Sequence, residues 1–227
     1  MGENADMMQN RRFSAEGKSV LVTGGTVRLG LAIAERLRSA GWRVITSSHR
    51  PDARADITAD LSEPLGAAKL FSSAMALLGG NPPDALVNNA ALLAGSDDAI
   101  ENVNFVSAQK LTILMAGREE GRASVVNILD AQVSPVESER SAKYDETKRA
   151  LREFTAKSAA MFALTLQVNA VAPGPVLVPV GVHEKAGETL LGRPEPDDVA
   201  AAVEFLLGAR SVTGVVLPVD GGMHVLQ

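Results

Sequence analysis

Residues 19–30 read Ser19-Val20-Leu21-Val22-Thr23-Gly24-Gly25-Thr26-Val27-Arg28-Leu29-Gly30. The first five form a short, largely β-branched run, the pattern of a buried strand. Leu29, Ile33 and Leu37 then recur at helical spacing over residues 29–40, and Gly41 ends the helix. Glycines dominate the turn between them. Such a turn brings backbone N–H groups, with a helix N-terminus behind them, close enough to hold a pyrophosphate. Any strand-to-helix connection can be glycine-rich, so the signal gains its weight from its position, at the start of a strand–helix–strand unit.

The alternation continues to the end of the chain. Residues 43–47, 85–88, 123–129, 165–172 and 215–219 read as strands, 56–60 as a short strand and its turn, and 63–78, 97–116 and 141–162 as helices. Pro64 falls early in its helix, where proline is tolerated, and Pro173-Gly174-Pro175 stops the sixth strand. A last helix, capped by Asp197 or Asp198, carries an apolar stripe at Val199, Val203 and Leu206. Alternating strands and helices specify a parallel sheet covered on both faces. With right-handed crossovers, the economical answer is a single doubly wound α/β sheet, the Rossmann fold. No repeat or linker divides the chain. Residues 1–17 read as a flexible leader and 18–227 as one domain.

The composition excludes several functions. The 227 residues are 46% hydrophobic and 22% charged, ordinary for a protein with a sizeable core. A net charge of −5, without a Lys/Arg stripe, argues against a nucleic-acid partner. With no cysteine, and with His49, His183 and His224 far apart, no metal site is expected. The N-terminus lacks the apolar stretch of a secretory signal, and no apolar run approaches the ~20 residues that span a bilayer. A cytoplasmic protein without membrane contact is expected.

Two further groups of residues carry chemistry. The second strand ends in Ser47-Ser48-His49-Arg50, with no carboxylate before Asp52. An acidic residue there would take a ribose 2′-OH, whereas basic residues pair with a 2′-phosphate. Arg28, Ser48, His49 and Arg50 therefore point to NADPH/NADP. Tyr144 and Lys148, four apart, share one helix face. An ammonium beside a phenol favours the phenolate, so the chain's single tyrosine can pass a proton while a hydride moves.

From about Lys18 onward these motifs resemble the short-chain dehydrogenase/reductase family. Its Thr-Gly-x-x-x-Gly-x-Gly turn is matched at Thr23, Gly24 and Gly30, with Leu29 before the last glycine. Arg28 replaces the middle glycine, as in the pteridine reductase branch, where the arginine helps hold the phosphates. Asp60-Leu61 resembles the family's pair at the adenine. Asn88-Asn89-Ala90-Ala91 resembles its cofactor-lining Asn-Asn-Ala-Gly. Pro173-Gly174 matches the nicotinamide side, although Pro175 and Val176 stand where a threonine often follows. Asn104 matches the helix asparagine that helps hold a water chain to the lysine, with Asn102 its near competitor. Asp130, closing Asn127-Ile128-Leu129-Asp130, takes the place of the usual substrate-binding serine. Pteridine reductases also carry aspartate there, but they place an aromatic where this chain has Leu92-Leu93.

The resemblance implies an NADPH-dependent reductase of a small, pterin-like substrate, with Tyr144, Lys148, Asp130 and Asn104 catalytic. An ordinary ketone/alcohol oxidoreductase of the same family and a non-catalytic dinucleotide sensor are the alternatives. It also implies a homotetramer, packed partly through the long helix with its apolar Ala150, Phe154, Ala159 and Met161. The closing Val219-Asp220-Gly221-Gly222 resembles a family motif common at subunit contacts.

Overall fold

The computed structural model describes residues 14–51, 53–118, 121–131, 142–177 and 189–226. Among the described residues, seven strands form one sheet in the order β3-β2-β1-β4-β5-β6-β7. They are β1 (Ser19–Thr23), β2 (Arg43–Ser48), β3 (Ile57–Thr58), β4 (Ala85–Asn88), β5 (Ala123–Ile128), β6 (Leu166–Pro173) and β7 (Val216–Val219). Every ladder is parallel. This is the doubly wound sheet that the alternation of elements implies. The strand order reverses between β1 and β4, and at such a switch point the connections diverge and leave a crevice above the carboxyl ends.

The α-helices among the described residues flank the sheet: α1 (Arg28–Ser39), α2 (Gly66–Leu77), α3 (Asp97–Glu101), α4 (Ser107–Ala116), α5 (Ala142–Met161) and α6 (Pro196–Gly208). Successive strand residues point to opposite faces. Val20 and Val22 pack with Ile33 and Leu37 of α1 and Val203 of α6. Leu21, between them, packs on the other face with Leu70 of α2 and Leu111 of α4. Burial on both faces is why the strands read as unbroken apolar runs.

Several expected boundaries shift. α2 starts at Gly66, so Pro64 lies in the turn before it; a Cβ at Gly66 would collide with the Asp60 carbonyl. β3 is only two residues long because Asp56 leaves the ladder, its carboxylate accepting Thr46 N at 2.7 Å in place of a strand carbonyl. Neither Asp197 nor Asp198 caps α6. Glu195 is the N-cap, Pro196 follows it, and Asp198 accepts Glu195 N at 2.8 Å in a capping box. Asp197 instead pairs with Arg36 of α1 at 2.9 Å. Residues 97–116 are helical as expected, but a π-helical stretch, Asn102–Val106, separates α3 from α4. The leader expected over residues 1–17 falls mostly outside the described residues. Within it Ala15 is already buried in the core, so packing begins ahead of Lys18. Among the described residues no helix is long and apolar enough to cross a membrane.

The C-terminal turn carries a pH signature. Asp220 is 2% exposed and accepts hydrogen bonds from Gly222 N at 3.0 Å and His224 N at 2.9 Å. Burial alone would raise its pKa, but these amides and the His224 ring outweigh burial and hold the carboxyl below its usual range. A depressed folded-state value means that the ionised carboxylate stabilises the fold above the unfolded pKa of ~3.9. That contribution is lost as pH falls through the lower folded value. At neutral pH, Asp220→Asn should cost about 1–3 kcal/mol. Denaturant unfolding of both proteins between pH 7 and pH 2.5 should show the gap closing only at the acid end. A gap independent of pH would remove the ionic explanation.

Candidate active site

Above the carboxyl ends of β1, β4, β5 and β6 lies a crevice of about 930 Å³. Gly24, Arg28, Leu29 and Gly30 form one wall. A Cβ on Gly30 would overlap the Gly24 carbonyl and the Asn89 amide, so this turn closes only with hydrogen at that position. Thr23 lies beneath the turn and does not line the crevice. Its Oγ1 accepts Asn89 N and Ala90 N, each at 3.0 Å, while Asn89 Nδ2 donates to Thr23 O at 2.9 Å. Thr23 and Asn89 thus stitch the turns after β1 and β4 together, leaving Asn89 and Ala90 on the crevice surface. Arg28 has φ 51°, a left-handed backbone that costs a side-chain-bearing residue of order 1 kcal/mol or more and that glycine would adopt freely.

The second wall comes from the ends of β2 and β3. Ser48, His49 and Arg50 line it, with Asp60 and Leu61 beside them. Ser48 Oγ accepts Arg50 N at 3.0 Å, which turns the chain so that both basic residues border the opening. The Ser62 hydroxyl, and then its amide, donate to Asp60 Oδ1 at 2.7 and 2.8 Å and hold that carboxyl below the usual range. Asp60 is therefore anionic at neutral pH, and the neighbouring His49 ring adds a smaller effect in the same direction. Ser62 had no motif to announce it, although a serine two residues after an aspartate is a common Asx-turn signal.

At the centre, Tyr144 and Lys148 project from α5 and Asp130 from the end of β5. Tyr144 Oη donates to Asp130 Oδ2 at 3.2 Å, and Lys148 Nζ donates to Ile128 O at 2.9 Å. The lysine nitrogen lies 5.6 Å from the centre of the tyrosine ring. Beyond β5, Leu129 N and Ala131 N donate to Val171 O and Pro173 O, each at 2.8 Å, so Asp130 sits on backbone fixed at both sides. Tyr144 and Lys148 are both buried. Pro173 and Gly174 close the floor, followed by Pro175 and Val176.

Asn104 stands behind this group, 1% exposed. Its Oδ1 accepts Leu92 N at 2.7 Å, and its Nδ2 donates to Leu92 O at 3.0 Å and Thr147 Oγ1 at 3.3 Å. It is a clamp between the β4 turn and α5 and does not line the crevice. Asn102 points elsewhere and donates to Ser62 O. Thr147, whose hydroxyl also donates to Tyr144 O at 2.7 Å, completes the link from Asn104 to α5 and had no sequence signal. Leu92 and Leu93 line the crevice where pteridine reductases place their aromatic, and Tyr144 is the one Phe, Tyr or Trp lining it among the described residues.

A switch-point crevice, a glycine cradle that a Cβ would fill and a buried Tyr–Lys pair beside it are the parts a nicotinamide-dependent oxidoreductase needs. The chain belongs to the short-chain dehydrogenase/reductase family: residues 27–224 match the family model described as enoyl-(acyl carrier protein) reductase. It is an NAD(P)-dependent enzyme of that family. A ketoacyl reductase named for the granaticin polyketide synthase of Streptomyces violaceoruber is 31% identical, over 93% of this chain and 98% of that protein. The ligand-free aldohexose dehydrogenase of Thermoplasma acidophilum superposes with a TM-score of 0.79 at 29% identity, over 94% of this chain and 96% of that one. A blue fluorescent protein from a metagenomic library, solved with NADPH, superposes at 0.81 with 25% identity, over 92% and 99% of the two chains.

Proposed function

We propose that this enzyme reduces a small carbonyl compound, or oxidises the matching alcohol, with NADPH/NADP. The convergence of the Tyr144 hydroxyl, the Lys148 ammonium and the glycine-rich turn on one crevice carries the reading. The bound nicotinamide supplies or accepts the hydride. Tyr144 gives its hydroxyl proton to the substrate oxygen, and Lys148, held under the ring by the Ile128 carbonyl, favours the phenolate left behind. Asn104 keeps the β4 turn in register with α5. The relatives named for ketoacyl reduction and aldohexose oxidation support carbonyl and alcohol chemistry.

A second reading has its own observation. Asp130, where the family has serine, would repel a developing alkoxide when ionised, but it would accept from an N–H. A ring imine of pterin type suits that carboxylate, as in the branch the Arg28 and Asp130 motifs resemble. A single panel separates the readings: ketones, alcohols, dihydrobiopterin and dihydrofolate, each with NADPH and NADH. Turnover of the pterins alone would replace the carbonyl reading.

Arg28, Ser48, His49 and Arg50 border the adenosine end of the crevice with no competing carboxylate in the strand-end tetrad, which supports NADPH over NADH. Arg28→Gly is the sharpest variant. It should weaken NADPH by roughly tenfold and NADH hardly at all, the worth of one arginine–phosphate pairing. Because glycine relieves the positive φ at this position, the variant should melt no lower than the parent. Fluorescence titration with both dinucleotides, beside a melting curve, reads both effects. Equal losses for the two cofactors would refute the 2′-phosphate role.

A homotetramer is the expected assembly. Of the apolar residues on α5, Ala159 is spent in the core and Phe154 meets Phe105 edge-on at 6.2 Å. Met161, Leu164 just beyond the helix, and Ile113 of α4 remain exposed and support a subunit contact. Light scattering that shows a monomer at micromolar concentration would overturn it.

A further inference from the structure

We infer that the Asp220 turn, which does not line the crevice, is a buckle that positions the crevice's substrate-side floor. It does so by gripping both described ends of the segment between Gly174 and Arg193. The inference rests on the carbonyl-or-imine reductase reading for the meaning of that floor, and on geometry alone for the buckle.

The first grip is on Gly174. β7 pairs Val219 with Pro173, and Val219 O accepts Gly174 N at 2.9 Å. Asp220 follows, and its Cα lies only 2.7 Å from where a Cβ on Gly174 would stand. No side chain fits there, so the Asp220 backbone sets where Gly174 lies and where Pro175, Val176 and Leu177 enter the crevice.

The second grip is on the returning chain. Gly221, at φ +64°, turns its carbonyl to accept Leu190 N at 2.8 Å and Leu191 N at 2.9 Å. A Cβ on Gly221 would overlap Gly192 O, so this contact also admits only glycine. The Asp220 carboxylate makes the turn: Oδ1 accepts Gly222 N, Oδ2 accepts His224 N, and His224 Nδ1 lies 2.8 Å from Oδ2. One buried side chain thus fixes a left-handed Gly221-Gly222 pair whose carbonyl holds Leu190 and Leu191. The Gly24 to Gly30 turn has no part in this arrangement, so loosening the buckle should disturb the substrate, and the nicotinamide end beside Gly174, while leaving most of the dinucleotide's affinity in place.

Asp220→Asn tests the idea in the full-length protein. The amide keeps the size of the carboxylate but turns an N–H toward one of its two backbone donors. The substrate KM should rise about tenfold with kcat within threefold and the NADPH Kd within twofold, the scale of a lost hydrogen bond or two. Hydrogen–deuterium exchange should speed up about tenfold across residues 189–192, read at times too short for β1, β4 and β5 to exchange in either protein. Unchanged exchange at 189–192, or losses shared equally between NADPH affinity and KM, would overturn the buckle. If Asp220→Asn fails to fold, His224→Ala removes only a half-exposed ring. It should then speed exchange at the same residues about threefold, and no change there would overturn the proposal. If the parent enzyme turns over neither carbonyls nor pterins, the functional reading fails while the exchange measurement still decides the buckle.

Discussion

Tyr144→Phe should lower kcat by about 10²- to 10⁴-fold while NADPH binds about as tightly as to the parent, since the lost oxygen is the proposed proton donor. The ring is 5% exposed, so phenylalanine refills the same space and the fold should persist. The hydroxyl reaches Asp130, and no second phenol lines the crevice among the described residues to replace it. Stopped-flow binding and single-turnover kinetics separate the two effects. A variant that keeps more than a tenth of parental turnover would mean that another group supplies the proton, and the Tyr144–Lys148 assignment would fall.

Replacing Asp130 with alanine should cut kcat by ~10²-fold with little change in NADPH affinity if the carboxylate takes part in proton handling. Its Oδ2 accepts from the Tyr144 hydroxyl at 3.2 Å, on a stretch of backbone braced by β6, so it is placed to orient that hydroxyl. Asp130→Ser should recover ketone turnover better than pterin turnover, because serine donates to a carbonyl oxygen without repelling the charge that develops on it. Unchanged turnover of Asp130→Ala on every substrate would leave Tyr144 and Lys148 acting alone. The imine reading would then lose its observation.

The fold was legible because its signals are local. Ser19–Thr23, the glycine turn and the Ile33–Leu37 stripe each report contacts within a few residues, and both-face burial leaves strands as apolar runs that stand out against amphipathic helices. Tyr144 and Lys148 were legible for the same reason: helical geometry alone puts residues four apart on one face. Boundaries were less so. Asp56 looked like a strand residue, but only the neighbouring strand's Thr46 shows that its carboxylate replaces a ladder bond. Asp197 looked like a cap, yet Arg36, far away in sequence, claims it, and Glu195 before Pro196 caps the helix.

By itself, then, the sequence determined the alternating elements, the glycine turn, the basic strand end and the Tyr–Lys helix face, because each depends on backbone periodicity and neighbouring residues. The tertiary structure alone decided that Asp130 meets the Tyr144 hydroxyl, that Asn104 grips Leu92 from behind the crevice, and that the Asp220 turn holds Gly174 and Leu190 together. Those partners lie on different elements or in the turns between them. Which of them come within hydrogen-bonding distance is set by strand order and register, quantities that no short window of residues encodes.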